Sequence, residues 1–191
     1  MYSTAKVPIM LTVLDRALQQ GRSLSASEQS QISAMIQVSD NDAATALYIE
    51  VGGAPGVQQY LRRIGRTQTQ MNAAAWGEST TTTADMARLL AQLGSCQILT
   101  PRLCQYALDQ MRQVVPSQRW GVGTGVPAGT PVALKNGWYP EDDGWGVHSM
   151  GLVEKGGRQY AIAVYTQPDP SMAYGVETIE QIVGAIYGAL P

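Results

Sequence analysis

The chain contains few of the residues from which most catalytic and metal sites are built. Among its 191 residues are a single histidine, His148, and two cysteines, Cys96 and Cys104. A closed tetrahedral zinc site would need all three together with a carboxylate, and no CxxC or HExxH spacing brings them together. The sequence therefore predicts neither a metal site nor a cofactor, and any Ser-His-Asp triad would have to use His148 alone.

Charge and long apolar runs are also scarce. Charged residues make up 15% of the chain and the net charge is −2, without the basic stripe that a nucleic-acid partner requires. No window holds the roughly 20 apolar residues of a membrane span, and the N-terminus lacks the pattern of a signal peptide. The apolar fraction of 45% is that of a folded protein, so we expect a single domain over residues 1–191.

The first two thirds of the chain show helical periodicity. Apolar residues recur at spacings of three and four, and the pattern is interrupted by glycines at Gly21, Gly52-Gly53, Gly65 and Gly94. These signals predict five or six helices, the first opened by Ser3 or Thr4 and the second by Ser27. The segment 66–79 has weak periodicity and is predicted to be a loop.

The last third changes to short alternating runs. It predicts three strands and a final helix, at 131–138, 146–154, 159–167 and 172–190. The last two strands are joined by a hairpin at 155–158, and residues 112–130 connect the helices to the sheet. The order predicts an α+β fold, in which a cluster of helices packs on an antiparallel sheet with a C-terminal helix.

A serine and a lysine stand one helical turn apart in Ser3-Thr4-Ala5-Lys6. Positions i and i+3 share a helix face, so the amine can approach the hydroxyl. Lysine can take the proton of a serine nucleophile when burial or a nearby cation lowers the pKa of its amine. The free N–H groups at the start of a helix suit an oxyanion. A capping serine beside a solvated lysine is the alternative interpretation.

Two further polar groups stand where side chains can meet a ligand. Ser39-Asp40-Asn41 falls at a break between two predicted helices, where capping is the alternative interpretation. Lys135-Asn136-Gly137 lies on an apolar strand, where glycine leaves room for a ligand backbone and lysine adds charge. A strand end that leads into a turn is the alternative for this group.

The order and spacing of these three groups resemble a known motif set. S-x-x-K, S-D-N and K-x-G are the motifs of class A β-lactamases and penicillin-binding proteins. The segment 80–87 resembles one that opens a later helix of that family, and 126–135 resembles the approach to its K-T-G strand. The chain is thus identified as a member of the serine β-lactamase and penicillin-binding protein superfamily, with discontinuous α and α/β parts.

The resemblance implies roles for five polar residues. Ser3 would be the acylated nucleophile and Lys6 its base or proton relay. Ser39 would pass the proton towards the leaving nitrogen, while Asn41 would hold the substrate amide and Lys6. Lys135 would lower the pKa of Lys6 by its positive charge and would attract a substrate carboxylate.

The end of the K-x-G strand would complete the implied site. The backbone N–H groups of Ser3 and of Trp138, just past Gly137, would form the oxyanion hole. Asn136 stands where the family has threonine, and its amide can still donate to a substrate carboxylate. We therefore expect the strand residues 136–138 to bind substrate.

The sequence also departs from the family. Its class A hydrolases use a glutamate on an omega loop, in a Glu-x-x-Leu-Asn motif, to activate the deacylating water. The shorter segment 66–79 has no such motif and a single carboxylate, Glu78, which predicts slow deacylation. Two strands and a helix precede the nucleophile in the family, and we expect a truncated N-terminus or a partner, with strand swapping or edge pairing at the exposed sheet edge.

The resemblance implies β-lactams or peptidoglycan stem peptides as partners, and a periplasmic, extracellular or cell-envelope location. His148 has no part in the scheme and is expected to be a structural or rim residue. Cys96 and Cys104 either form a disulfide in an exported protein or remain two reduced thiols. A non-catalytic binding or scaffold domain and a glutaminase-like relative are the alternative functions.

Overall fold

A computed structural model describes all residues from Met1 to Pro191. Seven α-helices surround and cover one antiparallel sheet. They are α1 (Lys6–Gln19), α2 (Ala26–Gln37), α3 (Asn41–Glu50), α4 (Gly53–Arg63), α5 (Thr83–Gly94), α6 (Pro101–Arg112) and α7 (Met172–Ala189). The strands are β1 (Ala133–Glu141), β2 (Gly144–Lys155) and β3 (Arg158–Asp169). This is the predicted α+β arrangement.

Helix starts follow local capping chemistry. Ser25 accepts from the backbone N–H of Glu28, whose carboxylate accepts from the N–H of Ser25. Because this capping box satisfies two free donors, the N-cap of α2 is Ser25, two residues before the predicted Ser27. The first helix starts later than predicted, at Lys6, because a 3-10 turn at Tyr2–Ala5 precedes it. Ser3 therefore lies in that turn and caps no helix.

The sheet has the order β1-β2-β3, with both neighbouring pairs antiparallel. The predicted end of the first strand at Trp138 is too early, because pairing with β2 continues to Glu141 opposite Gly144. The turn falls instead at 142–143. β1 and β3 are the edge strands, and the predicted hairpin joins β2 to β3.

The first helix passes through the centre of the molecule. Eleven of the 14 residues of α1 are buried, on every side of the helix. The helix packs against α2, α3, α4 and α6, and its apolar side chains join a continuous core of 42 buried residues. Because so many contacts hold α1, the turn at Tyr2–Ala5 has a well-determined position beside the sheet.

A disulfide between Cys96 and Cys104 joins the end of α5 to the first turn of α6. Of the two alternatives for the cysteines, the structure has the oxidised one. None of the helices combines the length and the apolar character needed to cross a membrane.

Candidate active site

The three motifs meet around the amine of Lys6. Its Nζ lies 3.1 Å from Ser3 Oγ, 3.0 Å from Ser39 Oγ, 2.6 Å from the carbonyl oxygen of Ser39 and 2.7 Å from Asn41 Oδ1. The Lys6 side chain is fully buried. Ser39 and Asn41, which lie 33 and 35 positions further along the chain, thus contact the same amine as Ser3.

The hydrogen-bond partners of this amine can accommodate its neutral form. The carbonyl oxygen of Ser39 and Asn41 Oδ1 can only accept hydrogen bonds, whereas the two hydroxyls can donate or accept. A neutral amine has two hydrogens, which these two obligatory acceptors take at 2.6 and 2.7 Å. Its lone pair then remains for a hydroxyl, and Ser3 Oγ at 3.1 Å is placed to donate to it.

A second amine reaches the same hydroxyl from the sheet. Lys135 Nζ donates to Ser39 Oγ at 3.0 Å and to the carbonyl oxygen of Asn136 at 3.0 Å. Ser39 Oγ therefore lies between two buried amines, at 3.0 Å from each. In its ammonium form Lys135 has three donors, of which these two contacts use two.

The turn at residues 39–41 leaves its functional groups free because another side chain caps the helix. Asp40 is the N-cap of α3 and its Oδ1 accepts from the N–H of Ala43 at 2.7 Å. Ser39 has a φ of 62°, in a left-handed region that a serine seldom adopts. The capping interpretation holds for Asp40, and the side chains of Ser39 and Asn41 both face Lys6.

Burial changes the protonation of both amines. The pKa of Lys6 falls from its ordinary value to about 8, because burial disfavours the ammonium more than nearby Asp40 stabilises it. The pKa of Lys135 falls to about 7, through burial and then through repulsion by Lys6. We expected the charge of Lys135 to lower the pKa of Lys6. Burial is the main cause for both amines, and the repulsion between them adds to it at Lys135.

We expect the free energy of unfolding to rise between about pH 7 and about pH 9. The amines of Lys6 and Lys135 have lower pKa values in the folded protein than their ordinary 10.5. The unfolded chain then binds more protons, and stability rises with pH. In urea denaturation, the free energy of unfolding of Lys135→Met should rise less steeply with pH than that of the wild type. For Lys155→Met it should rise as steeply as for the wild type. An unchanged slope in Lys135→Met would contradict this.

The side chain of Asn136 is bonded to a loop and is not placed as expected for binding a substrate carboxylate. Both hydrogens of its buried side-chain amide are donated to backbone carbonyls, those of Gln118 and Trp120, each at 2.9 Å. No donor remains for a substrate carboxylate, because side chains alternate along β1 and Asn136 faces away from Lys6. Its amide ties residues 118–120 to the strand instead. The alternation of side chains along a strand follows from the sequence and could have predicted this orientation of Asn136.

Gly137 brings β1 into contact with the turn that carries Ser3. A Cβ atom at Gly137 would lie 2.7 Å from the backbone nitrogen of Ser3 and 2.9 Å from that of Thr4. Only glycine allows such a close approach. The contact therefore brings the strand residue directly before Trp138 against the backbone nitrogen of Ser3.

His148 is a buried structural residue. Its ring stacks between Tyr165, with a centroid distance of 4.1 Å, and Tyr2, at 4.6 Å. Burial lowers the pKa of the imidazole to about 3, so the ring is neutral at physiological pH. The structure shows no hydrogen bond between the imidazole and the amine of Lys6 or of Lys135.

Sequence reasoning missed two tryptophans beside the site. The ring of Trp76 lies 5.0 Å from Lys6 Nζ, and the ring of Trp120 packs on that of Trp138 at 5.8 Å. Both belong to segments without helical or strand periodicity, so no local signal pointed to them. No group of three or more His, Cys, Asp or Glu side chains is arranged to hold a metal ion.

Comparisons with known proteins agree with the fold. A sequence model of the β-lactamase enzyme family matches residues 27–190. The TLA-3 extended-spectrum β-lactamase has a TM-score of 0.88 at 21% identity, over 98% of this chain and 83% of its own. A β-lactamase from Chitinophaga pinensis scores 0.87 at 20% identity, over 99% and 84%. PBP-A scores 0.81 at 26% identity, over 98% and 80%.

The fold and the family match together define a serine hydrolase of the β-lactamase and penicillin-binding type. The chain belongs to the β-lactamase enzyme family.

Proposed function

We propose that the chain is an acyl-serine enzyme that acts on β-lactams or on peptides ending in D-Ala-D-Ala. The observation that carries the proposal is the set of hydrogen bonds at Lys6 Nζ, which joins Ser3 Oγ, Ser39 Oγ and Asn41 Oδ1. Its lowered pKa, about 8, leaves a usable fraction of neutral amine near neutral pH.

The proposed reaction begins with proton transfer from Ser3 Oγ to the lone pair of Lys6 Nζ. The Oγ–carbon bond forms, and the resulting oxyanion accepts from the backbone N–H groups of Ser3 and Trp138. The carbon–nitrogen bond then breaks, and the nitrogen takes the proton of Ser39 Oγ. Ser39 is reprotonated by one of the two amines that donate to it, Lys6 or Lys135.

Lys135 is proposed to attract the substrate carboxylate through its third N–H. Asn41 lies at the exposed start of α3, with Oδ1 on Lys6, and its amide nitrogen can donate to a substrate carbonyl. Gly137 and Trp138 would border the bound substrate along the free edge of β1. No role in binding the carboxylate is proposed for Asn136, since its amide is committed to the loop.

Deacylation is proposed to be slow. Glu78 is the only carboxylate in the segment 66–79, and it is exposed, with Asn72 Nδ2 3.4 Å from its Oε2. A general base must lie within hydrogen-bond reach of the attacking water, directly or through one water. The acyl-enzyme would therefore accumulate, as in a penicillin-binding protein. A variant of PBP-A is known as an acyl-enzyme complex with penicillin G.

Intact-protein mass spectrometry after incubation with penicillin G tests the proposal. We expect an adduct of the full mass of the β-lactam on the wild type and none on Ser3→Ala, because opening of the lactam ring releases no leaving group. An adduct that persists in Ser3→Ala, or reversible binding without an adduct, overturns the proposal. The second result would favour a non-catalytic binding domain. Hydrolysis of a chromogenic cephalosporin then measures deacylation.

The location and assembly of the protein are proposals too. The disulfide between Cys96 and Cys104 supports an oxidising compartment, such as the periplasm or the cell exterior. The outer edge of β3 has no paired strand, which supports pairing with a further strand or a second copy.

A further inference from the structure

An indole covers the catalytic amine on the side of the segment 66–79. The ring centroid of Trp76 lies 5.0 Å from Lys6 Nζ. The four polar partners of Nζ come from residues 3, 39 and 41. Trp76 therefore covers the amine on this side and helps to keep the side chain fully buried, while the face of its ring attracts the ammonium form.

The indole is held in place from several sides. Trp76 Nε1 donates to Thr45 Oγ1 at 3.1 Å, and Thr45 Oγ1 donates to the carbonyl oxygen of Asn41 at 2.9 Å. The ring is thus connected to the first turn of α3, which also supplies Asn41 Oδ1 to Lys6. Tyr48 of the same helix donates to the carbonyl oxygen of Asn72 at 2.7 Å and anchors the start of the segment.

The same segment borders the nucleophile turn. A Cβ atom at Gly77 would be in ordinary contact with Cα of Tyr2, at 3.8 Å, and Tyr2 directly precedes Ser3. The segment therefore lies against both the amine and the backbone beside the hydroxyl. At this place it presents an indole, which offers neither a proton acceptor nor space to a water molecule.

We propose that Trp76 is a positioning residue whose ring keeps water away from the Lys6 amine and from the acylated serine. The part of this proposal that concerns the acylated serine rests on the proposed function. The same ring has opposite effects on the two halves of the reaction. A desolvated amine is a base near neutral pH, which favours acylation, while exclusion of water prolongs the life of the acyl-enzyme.

The charged groups around the amine are few. Asp40 stabilises the ammonium form of Lys6, and Lys135 repels it across Ser39 Oγ. Because substitution of Trp76 leaves both charges in place, a changed titration of Lys6 would report changed solvation.

The titration of Lys6 can be followed directly, because the chain has three lysines, at 6, 135 and 155. NMR of protein labelled at lysine Cε, with Lys135→Met and Lys155→Met for assignment, gives each midpoint. We expect Trp76→Ala to raise the Lys6 midpoint by about one pH unit, because the hydration gained by the ammonium outweighs its lost attraction to the face of the ring. Trp76→Phe keeps a ring over the amine and should restore the wild-type midpoint. Trp145→Ala removes another half-buried indole, opposite Pro140 and Asp169 in the sheet, and is the matched control.

The second measurement is the lifetime of the penicillin G adduct. Trp76→Ala should shorten it about tenfold or more, while Trp76→Phe and Trp145→Ala should leave it within about twofold. An unchanged Lys6 midpoint and adduct lifetime in Trp76→Ala would overturn the proposal, as would equal changes in Trp145→Ala. If the wild type forms no adduct, the proposed function fails, and the Lys6 midpoint alone then decides whether Trp76 controls its solvation.

Discussion

Lys6→Met is expected to lower the rate of acylation by penicillin G about 10²- to 10⁴-fold, the range of a lost general base. Methionine is about as long as lysine but has no proton acceptor for Ser3 Oγ, which lies 3.1 Å from Nζ. Methionine removes the desolvation cost of a buried amine but leaves the carbonyl oxygen of Ser39 and Asn41 Oδ1 without this donor, so the variant should fold with reduced stability. Time-resolved mass spectrometry of the adduct measures the rate, and thermal unfolding verifies the fold.

The variant Lys6→Arg distinguishes the role of Lys6 as a proton acceptor from the role of its positive charge. Guanidinium keeps the positive charge but is not deprotonated in proteins, so this variant should be as slow as Lys6→Met. Acylation by Lys6→Arg at close to the wild-type rate would show that the site needs only a cation. Lys155→Met, at the hairpin between β2 and β3, should acylate like the wild type.

Gly137→Ala is expected to lower acylation by about 10²-fold or more, the effect of a lost oxyanion donor. The new Cβ atom would lie 2.7 Å from the backbone nitrogen of Ser3 and 2.9 Å from that of Thr4. Backbone atoms cannot rotate away as a flexible side chain would, so β1 and the nucleophile turn must separate. Such overpacking costs about 1–3 kcal/mol of stability.

The control for this change is Gly184→Ala on α7. A Cβ atom there meets no atom within 4 Å, and alanine is the better helix former by about 0.5–1 kcal/mol. We expect full acylation and slightly higher stability. If Gly137→Ala acylates as fast as Gly184→Ala, the close approach of β1 is not needed for the reaction.

Much of the fold could be predicted because its signals are local. Helix periodicity depends on contacts three and four residues apart, and the break at residues 39–41 lies where Asp40 caps α3. Errors arose where a longer-range contact prevailed. β1 continues beyond Trp138 because pairing with β2 outweighs the turn signal of Pro140.

The candidate site, too, could be predicted only in part from the sequence. The sequence alone determined that any histidine triad would have to use His148, that Ser3 and Lys6 lie one turn apart, and that Lys135 and Gly137 lie on one face of a strand. These follow from composition and from the periods of helix and strand.

Only the tertiary structure decided what surrounds the two amines. Burial of Lys6 and Lys135 depends on how α1, α3 and β1 pack, and no local pattern contains that information. The same holds for Asn136, whose amide is taken by the loop at 118–120, and for Trp76 over Lys6. Desolvation is a property of the whole packed assembly, and desolvation brings the pKa of Lys6 near the pH at which a base is useful.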